Sequence, residues 1–133
     1  MKKNLSLLFV LMLALTVILA ACGGGGGETT DSAAKAGEDL FAQTVIGSQA
    51  GCSTCHSLDA GVVIVGPSMA GIASRAGSTV AGQSAEDYLK ESILNPDAHL
   101  VEGFPAGTMP QVWGDELTSE QIDNLVAYLL TLK

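Results

Sequence analysis

Cys52-Ser53-Thr54-Cys55-His56 constrains this chain more than any other stretch. Two thiols separated by two residues and followed at once by an imidazole form the pattern of covalent haem attachment. Each thiol can add across one vinyl group of the porphyrin, and the adjoining imidazole is then held beneath the ring, where its nitrogen can bind iron. Ser53 and Thr54 only bridge the cysteines. The pattern predicts one covalently held iron porphyrin, haem c, around which the domain is built.

A short cysteine motif also serves in disulfides, zinc sites and thioredoxin-like redox pairs. Zinc wants four ligands, and beyond Cys52, Cys55 and His56 the chain that follows Cys22 offers only His99 as a further nitrogen or thiolate ligand. A thioredoxin-like pair needs a strand-helix-strand setting, which the surrounding sequence does not suggest.

The first residues are of a different kind. Lys2 and Lys3 precede an almost wholly apolar run from Leu5 to Ala21, the charged and apolar regions of a secretory signal. Leu19-Ala20-Ala21-Cys22 follows and resembles the lipobox of bacterial lipoproteins, in which the cysteine receives a diacylglycerol and the signal is cut before it. The expected division is a signal peptide over residues 1–21, a lipidated glycine-rich tether over 22–32 and one haem domain over 33–133. An uncleaved membrane anchor is the competing reading, since the run is at the short end of what spans a bilayer. Both put the domain outside the cytoplasm. With Cys22 given to lipid and Cys52 and Cys55 to haem, none of the three cysteines remains for a structural disulfide.

Loss of Lys2 and Lys3 leaves four basic residues against fourteen acidic ones, a formal charge of −10. Such a balance argues against nucleic acid as a partner and against docking through a basic patch on anionic lipid. It either favours redox partners with a neutral or basic face or serves solubility alone. Gly23 to Gly27 and the polar residues to Ser32 have the composition of a flexible linker, with a typical reach of roughly 20 Å.

Within the domain, residues 33 to about 46 favour a first helix, with Leu40, Phe41 and Val45 on one side and Gly37 suited to close approach by another helix. Leu58 to Val65 is apolar but bounded by Gly61, Gly66 and Pro67, and reads as a loop over the haem. Pro67 to Arg75 suggests a short second helix opened by Pro67 and closed by Gly77. Ser84 caps a third, ended by Asn95-Pro96, and a long loop follows to Trp113. The last helix has Thr118 and Gln121 in a capping box, Leu117 and Ile122 as a staple, and Ile122, Leu125, Val126, Leu129 and Leu132 on its buried face.

Iron also needs a sixth ligand or an open site. Met109, in Gly107-Thr108-Met109-Pro110, is the leading candidate because a loop can carry a thioether over the far face of the ring; Met69 and His99 are the others.

Gly37, Phe41, the Cys52–His56 motif, Gly66-Pro67, Met109-Pro110 and the closing helix with Tyr128-Leu129 resemble a class I cytochrome c over residues 33–133. The resemblance implies an all-α fold of three to five helices around one haem, with the first and last helices crossed. It implies His56 as proximal and Met109 as distal ligand, with the Pro67 carbonyl accepting the imidazole proton. Arg75 matches a position that meets a haem propionate in relatives, though a solvated arginine is the alternative. Trp113 either packs at the haem edge or belongs to the core alone. Ile93-Leu94-Asn95-Pro96 and the Gly103–Pro110 segment are similar to cytochrome modules of respiratory complexes, including the small lipoprotein subunit of alternative complex III.

The expected function is therefore transfer of single electrons between redox proteins of a respiratory or photosynthetic chain, at the outer face of a membrane reached through Cys22. It would act as a mobile carrier or a complex subunit, not as an enzyme. A haem enzyme or gas sensor with an open distal site is the alternative.

Overall fold

A computed structural model describes residues 26–133, so the signal peptide, Cys22 and the first glycines of the tether lie outside the described residues. Among the described residues are six helices and one two-stranded hairpin. Four helices have eight residues or more: α1 (Gly26–Phe41), α3 (Ile72–Thr79), α4 (Ala85–Leu94) and α6 (Ser119–Leu129). The other two, α2 (Cys52–Cys55) and α5 (Trp113–Glu116), are single turns. Strands β1 (Val45–Ile46) and β2 (Gln49–Ala50) pair antiparallel across Gly47-Ser48.

Helix α1 meets α6 where a small residue lets it. A Cβ built on Gly37 would overlap the carbonyl oxygen of Asn124, so the two backbones touch at a distance no side chain would permit. Buried Leu40 and Phe41 continue the same stripe, and the Phe41 and Tyr128 rings pack with centroids 5.6 Å apart. On α6 the expected capping box is present: the Thr118 hydroxyl accepts from the Gln121 amide while the Gln121 side chain accepts from the Thr118 amide at 2.9 Å. Leu117 and Ile122 are buried on either side of it, followed by Leu125, Val126 and Leu129, with Leu132 partly buried against the core.

Helix α4 runs as its sequence indicates, with the Ser84 hydroxyl accepting from the Asp87 amide at 3.1 Å and Asn95 ending it. Three expectations need correction. First, α1 begins at Gly26, inside the stretch read as tether, and stops at Phe41, so Val45 is exposed on a strand and not on a helix. Extending a helix that packing has already nucleated is cheap, and residues 28–36 contain no glycine or proline to interrupt it.

Second, Pro67 does not open α3, which starts five residues later and passes through Gly77. Residues 67–70 spend their backbone groups elsewhere: the Met69 amide donates to the Ser57 carbonyl at 2.8 Å, the Ala70 amide to the Ser68 hydroxyl at 3.1 Å, and the Arg75 guanidinium to the Ser68 and Ala70 carbonyls. Third, the long loop ends at Val112, because Trp113 opens α5. Leu58 to Val65 is a loop, as expected, but of its large aliphatic residues only Val65 lines the cavity described below, so the segment does not lie over that space as a whole.

Candidate functional site

The haem motif occupies α2 and the residue after it. The His56 amide donates to the Cys52 carbonyl at 2.9 Å and the backbone then turns extended, which frees the imidazole from the helix. His56 Nδ1 lies 2.8 Å from the Pro67 carbonyl oxygen. A carbonyl can only accept, so Nδ1 carries the proton and Nε2 keeps its lone pair. That is the tautomer a metal ligand requires.

Gly66 lets the chain come this close. A Cβ there would lie 2.5 Å from His56 Cε1. The Val65 and Gly66 amides both donate to the Cys55 carbonyl, at 3.1 and 2.9 Å, so the loop is tied directly to the motif it covers.

Against these residues is a cavity of about 290 Å³ walled mostly by apolar side chains. Well-packed interiors leave few voids larger than a water, so a space of this size has room for a ligand. All seven domain residues singled out by sequence line it: Cys52, Cys55, His56 and Pro67 from the motif and its return loop, Arg75 from α3, and Met109 and Trp113 from the segment before α6. Burial among them, with Cys55 adding to it, pushes the Cys52 thiol above its ordinary range.

Met69 and His99 line the same cavity. His99 Nε2 is 3.0 Å from Glu91 Oε2, and the Gln83 amide donates to the same carboxylate oxygen at 2.7 Å. The Gln83 bond and the His99 bond hold the Glu91 carboxyl below its usual range. Met69 is fastened by its amide to Ser57, the neighbour of His56, whereas Met109 arrives on a separate segment.

Sequence reasoning missed Asp97. One of its oxygens accepts the Gly107 amide at 2.9 Å and the other the Gln111 side-chain amide at 2.6 Å. These partners stand two residues before and two after Met109, so one carboxylate closes the loop around that methionine. No local signal reveals such a clamp, because its arms reach across ten and fourteen residues.

The residues fit a haem. Two thiols and a correctly protonated imidazole edge an apolar cavity, and Trp113, only 4% exposed, buries an indole N–H that has no partner among the described residues. A buried donor left unpaired costs about 1–3 kcal/mol, which an acceptor carried by the cavity's occupant would relieve. Arg75 also lines the cavity, and its two terminal nitrogens donate to the Ala70 and Ser68 carbonyls. Among the described residues no group of three or more His, Cys, Asp or Glu side chains could hold a metal ion on its own.

Comparison with known proteins agrees with this geometry. The family model for cytochrome c matches residues 34–133. Cytochrome c2 iso-2 of Magnetospirillum molischianum is 31% identical over 88 residues, covering 62% of this chain and 91% of that protein. Cytochrome c2 iso-2 of Magnetospirillum fulvum is 31% identical over 87 residues, covering 61% and 91%. No solved structure matches the chain. With a helical domain, two thiols and an imidazole at one cavity, and a family match over nearly all of that domain, the chain belongs to the cytochrome c family, electron carriers that hold one covalently bound haem c.

Proposed function

We propose that this protein is a membrane-tethered monohaem carrier that passes single electrons between redox proteins, with His56 and Met109 as the residues that would hold the haem iron. When bound, the haem supplies one-electron cycling between Fe(II) and Fe(III). Everything else falls to the chain. Cys52 and Cys55 fix the ring, the Pro67 carbonyl holds the His56 imidazole in its ligating tautomer, and the apolar walls keep out water, which lowers the reorganisation that each electron transfer requires. No acid or base is needed.

The observation that carries this reading is the His56 Nδ1–Pro67 hydrogen bond at a cavity that Met109 also lines. Asp97 supports Met109 over its competitors by bracketing its loop, while His99 already spends Nε2 on Glu91 and Met69 is fastened beside His56. Cys22, following the apolar run from Leu5 to Ala21, would carry the lipid and hold the domain at the outer face of a membrane. Whether the carrier moves freely or sits in a respiratory complex is read by purification in mild detergent with mass spectrometry. A free carrier comes away alone.

Exchange of Met109 for alanine tests the ligand. A methionine opposite histidine raises the potential, so Met109→Ala lowers the midpoint potential and changes the visible spectrum of the oxidised protein. An unchanged spectrum and potential would remove Met109 from the iron.

A further inference from the structure

Leu58, Val62, Val63 and Ile64 are 45%, 45%, 61% and 52% exposed, a run of large aliphatic side chains facing solvent in one short loop. The haem does not cover them, because none of the four lines its cavity; Val65, next in sequence, does. The exposure is built in. The Asp59 amide donates to the Ser57 hydroxyl at 2.9 Å, the Val62 amide to the Asp59 carbonyl at 3.2 Å, and the Ser68 hydroxyl to that same carbonyl at 2.7 Å. With Val65 tied to Cys55, the loop is pinned at both ends and holds its apolar side chains outward.

Leu58 and Ile64 also line a shallow surface groove with Phe41, Ser53, Glu38 and His56. His56 therefore borders both the haem cavity and the groove, and a partner seated in the groove touches the proposed iron ligand itself. The charges at this rim are acidic: Glu38 lines the groove, Asp59 stands within the loop, and the interval between Lys35 and Arg75 contains no lysine or arginine. Lys35 pairs with Glu38 and Asp39 and offsets one of their two charges, which leaves the trio negative, and Arg75 lines the haem cavity and not the groove.

We propose that Leu58 and Val62–Ile64 form the docking surface for a redox protein whose contact face is apolar at its centre and basic at its rim. The assignment rests on the carrier reading above and names the kind of partner that reading needs. An apolar patch with a polar rim is the usual form of a protein contact site, and complementary charge steers the encounter. An anionic lipid surface would be repelled by the same rim, as would a second copy of this chain.

The test uses full-length holoprotein in its reduced form and two oxidants of high potential. Tris(phenanthroline)cobalt(III) has an apolar surface and hexacyanoferrate(III) a hydrophilic one. In each reaction one electron leaves ferrous haem iron, which becomes ferric, and reduces the oxidant to cobalt(II) or hexacyanoferrate(II), with no proton or atom transferred. In the double variant Val63→Ser, Ile64→Ser the second-order rate constant with the cobalt complex falls about fivefold, as expected when half the apolar contact is removed. The rate with hexacyanoferrate(III), the midpoint potential and the visible spectrum stay as in the wild type, because the substitutions change no charge. Rates with both complexes unchanged, or falling together, would overturn the docking assignment. Loss of the cobalt reaction when the wild type is reconstituted into phosphatidylcholine vesicles would also overturn it, by placing the loop in lipid. Failure of the wild type to reduce either complex would instead overturn the carrier reading.

Discussion

His56 depends on two neighbours that do not touch the iron. The Pro67 carbonyl sets its tautomer, and Gly66 leaves the space in which its ring sits. Gly66→Ala puts a methyl group 2.5 Å from the ring, so the imidazole or the loop must move. The expected cost is about 1–3 kcal/mol, read from denaturant unfolding of the holoprotein. Gly114→Ala is the control, since its Cβ would meet Leu94 at an ordinary 3.5 Å, and it should stay within about 0.5 kcal/mol of the wild type. Asp97 stands to Met109 as Pro67 stands to His56. Asp97→Ala frees both Gly107 and Gln111, loosens the loop that carries the thioether and lowers the midpoint potential, while Asp97→Asn keeps one acceptor and recovers part of it. An unchanged potential in Asp97→Ala would mean that the loop holds Met109 without the clamp.

At the scale of elements, what could be read in the sequence was what short-range chemistry decides. The α6 capping box needs only Thr118 and Gln121, and the α4 cap only Ser84 and the amide of Asp87. Gly37 could be assigned to a helix contact because a glycine inside a helix has few other uses. The hairpin was not readable, because strands of two residues, Val45–Ile46 and Gln49–Ala50, are too short to show an alternating pattern. The start of α3 was not readable. Pro67 has the local character of a helix opener, and only the folded chain brings His56 to its carbonyl. The link between α4 and the long loop is also non-local: Glu91 receives Gln83 and His99, and its carboxyl is held below the ordinary value of 4.5. A depressed carboxyl adds stability above that ordinary value, and the contribution is lost as pH falls through the lower, folded one. Thermal melts from neutral pH into acid should therefore show Glu91→Gln less stable than wild type near neutrality and equal to it in strong acid. A gap that persists at the lowest pH would assign the effect to packing.

For the whole molecule, the cofactor was legible in five residues, and seven residues singled out by sequence meet at one cavity, because a covalent haem forces its anchors and walls into one place whatever the intervening chain does. Asp97 and the exposed Val62–Ile64 loop became visible only with the fold, since each is defined by what lies across from it. If His56 and Met109 both hold the iron, as proposed, no place is left there for a substrate or gas. Carbon monoxide added to the reduced, undenatured holoprotein tests this most directly through the visible spectrum. The account predicts a spectrum unchanged over minutes; rapid stoichiometric formation of a carbonyl complex would contradict it.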